Sequence, residues 1–212
     1  MTVAVSNTIY NTICTISAVP AVLLRTFEKE DYARQFLAGN IRFGLLQHYQ
    51  EIEDCRGDET EGRASIQWDL ESENSNLHNV TYTGTSLNLY YVLCTSHSGV
   101  CKKHLAKFGS FVVEINQPLK LLKRICDAWR NDNRSSSDAF ITPVLYNKNG
   151  LVPPPPYFIA PPSLVYAQKP ASYSHEAEYR YVLCCKVGTP EDPFLTLRLG
   201  HCYDICSLIS LT

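Results

Sequence analysis

An α+β domain is the class this sequence predicts, and three observations carry it. Short apolar runs rich in Val, Ile, Phe and Tyr recur along the chain with strand-like patterning. Helical periodicity is confined to a few windows, and the two kinds of element alternate irregularly, without repeated β-α units. The 212 residues are 45% hydrophobic and 19% charged, which suits one full core and excludes a disordered chain. A single domain is expected over 1–212, with 1–20 as an N-terminal extension and 188–212 as a C-terminal strand and tail.

In order, Leu23–Phe27 reads as a short strand interrupted by Arg25. Glu28–Ala38 reads as a helix, because acids crowd its first turn, apolar residues recur at i, i+4, and Gly39 supplies a stop. Ile41–Phe43 is a second strand and Leu45–Asp54 a short helix. The Arg56–Gly62 segment is a charged turn. Strands are expected over Ala64–Leu70, Asn79–Thr83, Leu87–Ser96, Ser110–Ile115 and Ala139–Tyr146, with helices over Gly99–Phe108 and Pro118–Trp129. The four prolines ending Asn147–Pro156 favour an extended surface excursion. Ser163–Gln168 and Glu178–Val187 complete the expected core strands, and Phe194–Leu199 is a final edge.

Composition restricts partners. The formal charge of -2 gives no global attraction to a polyanion, so a nucleic-acid partner would need a local basic face. Lys102, Lys103, Lys107, Lys120, Lys123, Arg124, Arg130 and Arg134 are the candidates for one. No apolar run reaches the ~18 residues of a membrane helix, so no membrane partner is expected. Met1–Pro20 lacks the basic region of a secretory signal, and nine scattered cysteines read as reduced buried thiols. The chain is therefore expected in the cytoplasm.

Residue types and spacings bear on several chemistries. Cys94, His97, Cys101 and His104 could make a zinc site, as more weakly could His201, Cys202 and Cys206, but no CxxC pair exists and no metal is expected. No GxGxxG or GxxxxGK[ST] is present, so a dinucleotide would need another fold. Glu176 and Glu178 should share one side of a strand mouth, since i and i+2 of a strand point the same way. Arg25 inside an apolar strand must meet an anion or carboxylate, and its guanidinium suits a phosphate. A serine at a strand end can steady a neighbouring glutamate.

Arg25, then Cys94-Thr95-Ser96, then Glu176-Ala177-Glu178 resembles the Arg / Ser-Thr-Ser / Glu-x-Glu pattern of arginine-class mono-ADP-ribosyltransferases, with Cys94 in place of the first serine. Residues 36–43, the Arg56–Gly62 loop and Glu176-x-Glu178-x-Arg180 are also similar to prophage-associated anti-phage defence proteins, some of them toxins of toxin-antitoxin systems. The resemblance implies an antiparallel-rich split sheet with flanking helices, NAD as substrate, and a macromolecular acceptor, RNA first among candidates. It implies Glu178 as the catalytic carboxylate and Glu176 as the group facing the acceptor. Arg25, Thr95 and Ser96 would bind NAD or support the site, with Tyr32, Phe43 and Tyr49 as stacking candidates. A protein acceptor, an antitoxin partner, and a non-enzymatic binding or sensor module on the same fold remain the alternatives.

Overall fold

The computed structural model describes residues 19–50, 63–72, 75–85, 89–146, 162–187 and 192–210. Within them the chain mixes helices and strands, with a mostly antiparallel sheet and a few short helices, an arrangement compatible with the α+β class. The strands are β1 (Leu23–Phe27), β2 (Asn40–Leu45), β3 (Arg63–Ser72), β4 (Ser75–Thr85), β5 (Tyr90–His97), β6 (Phe111–Ile115), β7 (Phe140–Pro143), β8 (Leu145–Tyr146), β9 (Gln168–Lys169), β10 (Glu178–Cys184), β11 (Phe194–Arg198) and β12 (Cys206–Ser210). The helices are α1 (Glu30–Leu37), α2 (Lys102–Leu105), α3 (Pro118–Arg130) and α4 (Pro162–Ala167), with 3-10 turns at Leu46–Gln50 and Ala171–Glu176.

Eight strands form the main sheet, in the order β11-β2-β5-β1-β6-β12, with β10 and then β7 added on β5. β3 and β4 form a separate hairpin, and β8 and β9 a short parallel pair. The central strand forks the sheet. β5 pairs with β2 through Tyr91 and Val92, and with β1 through Ser96 and His97. Between those points Leu93, Cys94 and Thr95 face neither strand, so β1 and β2 diverge on either side of a gap.

Both faces of the sheet are covered. On one, α1 buries Ala33, Phe36 and Leu37, and α3 buries Leu121, Ile125 and Trp129, spaced four apart on one stripe. They pack on Leu23, Ile41, Phe43, Tyr91, Leu93 and Tyr181. On the other, Tyr90, Val92 and Val182 meet Leu46, Val165 and Tyr166. A central strand buried on both sides reads as an unbroken apolar run, as Tyr90-Tyr91-Val92-Leu93 does. Proline opens α3, where its missing N–H has no helical partner to lose. Gly39 ends α1 at φ 88°, and a Cβ there would lie 1.7 Å from the Gly200 carbonyl oxygen. Only glycine fits.

Several expectations are corrected. Ser163–Gln168 is not a strand: Pro162–Ala167 is helical, and its β-branched and aromatic residues are buried against the second core face, where packing overrides propensity. The helix in Gly99–Phe108 shrinks to Lys102–Leu105. Leu45–Asp54 is a 3-10 turn over Leu46–Gln50, its remainder lying outside the described residues, as do the Arg56–Gly62 loop and the proline run. Phe194–Arg198 is an edge strand but not the last one, since Cys206–Ser210 adds on the far edge of β6. Seven cysteines fall within the described residues and all are free thiols.

Candidate functional site

The fork creates the site. Where β5 lacks a strand neighbour, Arg25 reaches across from β1 and its Nη1 donates to the Cys94 carbonyl at 2.7 Å. The guanidinium thus replaces a missing ladder hydrogen bond. Its Nε is buried and has no partner among the described residues. A charged donor left over in a partly buried position is expensive unless something occupies it.

On the opposite edge of β5, β10 runs antiparallel with Glu178 directly across from Ser96. The approach to β10 is a 3-10 turn ending at Glu176, followed by Ala177 in the left-handed region at φ 41°. This non-glycine conformation costs about 1 kcal/mol or more. The His97 N–H donates to the Ala177 carbonyl and the Glu178 N–H to the Tyr146 hydroxyl, which hold the turn. Glu176 and Glu178 therefore do not share a strand face, as i, i+2 alternation predicts, because the helical turn and Ala177 intervene. They converge all the same. Lys169 Nζ lies 2.8 Å from Glu176 Oε2 and 2.9 Å from Glu178 Oε2. Arg180 Nε donates to Glu178 Oε1 at 2.7 Å, and its Nη1 donates to the Tyr166 carbonyl.

These four charges are almost wholly buried, with side chains of Lys169, Glu176, Glu178 and Arg180 at 7%, 8%, 4% and 1% exposure. Burial alone would raise the Glu178 carboxyl. Arg180 and Lys169 outweigh it, aided by a hydrogen bond from Cys94, and hold Glu178 below the ordinary carboxylate range. Glu176 is shifted the other way. Burial is the largest influence, Lys169 opposes it, and the Glu178 charge adds to the rise. Two neighbouring carboxyls with separated affinities are what acid–base division of labour requires.

Arg25, Thr95, Ser96, Glu176 and Glu178 line one cleft of about 830 Å³, with Tyr32 of α1 at its rim. That size is within the range of small-molecule sites. Phe43 does not join them: it is fully buried in the core, because alternation turns Ile41, Phe43 and Leu45 inward and Arg42 toward the cleft. Ser96 faces Glu178 in register, yet among the described residues no hydrogen bond joins them; the Cys94 thiol approaches the carboxylate instead. Thr95 donates to the Tyr179 carbonyl.

Lys169 and Arg42 were missed by sequence reasoning. Arg180 enters the sequence reading only within the Glu176-x-Glu178-x-Arg180 motif, although Glu-x-Arg on a strand places both on one face. Nothing local marks Lys169, since it arrives from a two-residue strand. The basic face expected on α3 and after it is largely neutralised. Lys120 and Arg124 pair with Asp204, Lys123 with Asp127, Arg130 with Asp138, and Arg134 with Asp132. Among the described residues no cluster of His, Cys, Asp and Glu could hold a metal ion. No described helix is long and apolar enough to cross a membrane.

No family model matches the chain, and no curated protein or solved structure matches it significantly.

Proposed function

We propose that the chain is a NAD-consuming mono-ADP-ribosyltransferase that transfers ADP-ribose to a macromolecule. The observation that carries this reading is the convergence of Arg25, the Cys94–Ser96 strand end and Glu178 on one cleft, from three distant parts of the chain. The residues fit such a substrate. The spare buried Nε of Arg25 suits a phosphate oxygen, and the cleft has room for a dinucleotide. NAD supplies the chemistry through its labile nicotinamide–ribose bond. Glu178, ionised and fixed by two cations, would accept a hydrogen bond from a ribose hydroxyl and stabilise positive charge developing on that sugar. Glu176, whose proton affinity is raised, would take a proton from the attacking group. Toxicity on expression, countered by a protein antitoxin, belongs to the same proposal.

A second reading is favoured by one observation: Glu178 is 4% exposed and satisfied by Lys169 and Arg180, as in a structural ion cluster on a non-enzymatic binding module. One experiment separates the two. Purified protein is incubated with NAD labelled in its adenylate and with RNA, DNA or protein, while nicotinamide release is followed. Glu178→Gln is expected to lower both transfer and release at least about 100-fold. Unchanged NAD turnover in that variant, or no label in any pool with wild type, overturns the transferase reading.

A further inference from the structure

A ladder of alternating cations and aromatic rings runs along the cleft rim formed by α1, β2 and β11. Lys29 Nζ lies 5.7 Å from the Tyr32 ring centre, and the Arg42 guanidinium lies 5.8 Å from the same ring. Arg42 also stacks 4.2 Å from the Phe194 ring, against which His48 packs edge-on at 5.4 Å. The β2–β11 register explains the alignment. Arg42 is directly opposite Thr196, so Phe194 and Arg198 are its diagonal neighbours on the same face. The alternate residues Leu195 and Leu197 point into the core.

The rim has features that folding does not require. Tyr32 and Phe194 are 46% and 42% exposed although both are large aromatics. Among the described residues neither Arg42 nor Arg198 has a carboxylate partner, whereas the cations of α3 and the loop after it are ion-paired. Three carboxylates line the same cleft: Glu28, and Glu176 and Glu178, which Lys169 and Arg180 neutralise; Glu30 is engaged by Arg34.

We propose that this ladder docks a single-stranded nucleic acid. Exposed rings offer π faces to unstacked bases, and the cations beside them suit the phosphates. A duplex hides its base faces and cannot use the rings. The cleft that holds Glu178 continues into this rim, so a strand lying on it passes the carboxylate pair. Its role as the acceptor rests on the transferase reading; its binding does not.

The test is fluorescence anisotropy without NAD, using labelled single-stranded RNA, single-stranded DNA and duplex RNA of matched length between 50 and 200 mM salt. Single strands are expected to bind at least tenfold tighter than duplex, and the RNA and DNA arms identify which is preferred. Arg42→Ala should weaken binding roughly tenfold and flatten the salt slope by about 0.7, one phosphate contact on a single strand. Phe194→Ala should weaken it about as much with the slope unchanged. Lys123→Ala, on α3, should change nothing; melting curves confirm that each variant is folded. Equal affinity for duplex, no binding by single strands, or wild-type affinity in both rim variants overturns the proposal. If NAD turnover is found but no strand binds, this inference falls alone. If strands bind through the ladder but NAD is untouched, only the transferase reading falls.

Discussion

Replacing Lys169 with methionine removes a group that touches both carboxylates. Its ammonium lies 2.8 and 2.9 Å from them, with every participant at or below 8% side-chain exposure. Breaking a buried pair by deleting one partner costs about 3–5 kcal/mol, because the remaining charges stay desolvated. Glu176 can relieve part of that by binding a proton, since its affinity is already raised by burial and by Glu178. The pH dependence follows from this. Glu178, held low, contributes stability that is present above the ordinary carboxylate value near ~4.3 and is lost as pH falls through its depressed value. Glu176, held high, retains its proton longer folded than unfolded, so its contribution declines as pH rises from ~4.3 through the raised value. Loss of Lys169 pushes Glu176 further up. The destabilisation should therefore be about 3 kcal/mol at pH 8, a fall in Tm of about 6–12 °C, and smaller at pH 5. Urea titrations at the two pH values, read by fluorescence of the buried Trp129, measure it. A loss under ~1 kcal/mol at both, or one independent of pH, would refute the clamp. Lys169→Arg should keep most of the stability.

Other expectations are simpler. Ala177→Gly relieves a left-handed residue and should stabilise by about 1 kcal/mol in thermal melts. Gly39→Ala meets both a positive φ and the Gly200 carbonyl, and should lose about 2 kcal/mol or more. Ile125→Ala, in a fully buried stripe, should cost about 2–5 kcal/mol by urea denaturation. Among the described thiols, native alkylation mapped by mass spectrometry should label exposed Cys101 first. Cys94, Cys185 and Cys206 should lag, because burial raises their thiols and shields them.

Elements that announce themselves locally were legible. The acid-rich start, i, i+4 stripe and terminal glycine of α1, and the proline-led stripe of α3, are properties of neighbouring residues. So was β5 as a strand, though not its burial on both faces. What tertiary contact decides was not legible. β12 has a weak pattern and exists because β6 offers an open edge; α4 looks like a strand because only the second core face tells its residues to coil. The same division runs through the site. Arg25, Glu176 and Glu178 stood out as charges in or beside apolar runs, and the cleft gathers them. Phe43 failed because it alternates into the core with Ile41 and Leu45, leaving Arg42 outward. Lys169 could not be found, since its meaning depends on two carboxylates met only after the chain has turned through Ala177.

The divergence of β1 and β2 from β5 has a mechanical side. Within the gap, the Cys94 main-chain oxygen is tied to β1 through the Arg25 side chain, whereas above and below it β5 is laced to β2 and β1 by backbone. A ligand that draws the Arg25 guanidinium toward itself must either use the idle Nε and leave the tie intact, or compete with Cys94 for the same donor group. In the first case the two wings stay latched and the mouth is rigid. In the second, occupancy slackens the latch, and the wings are free to part just as the ligand arrives.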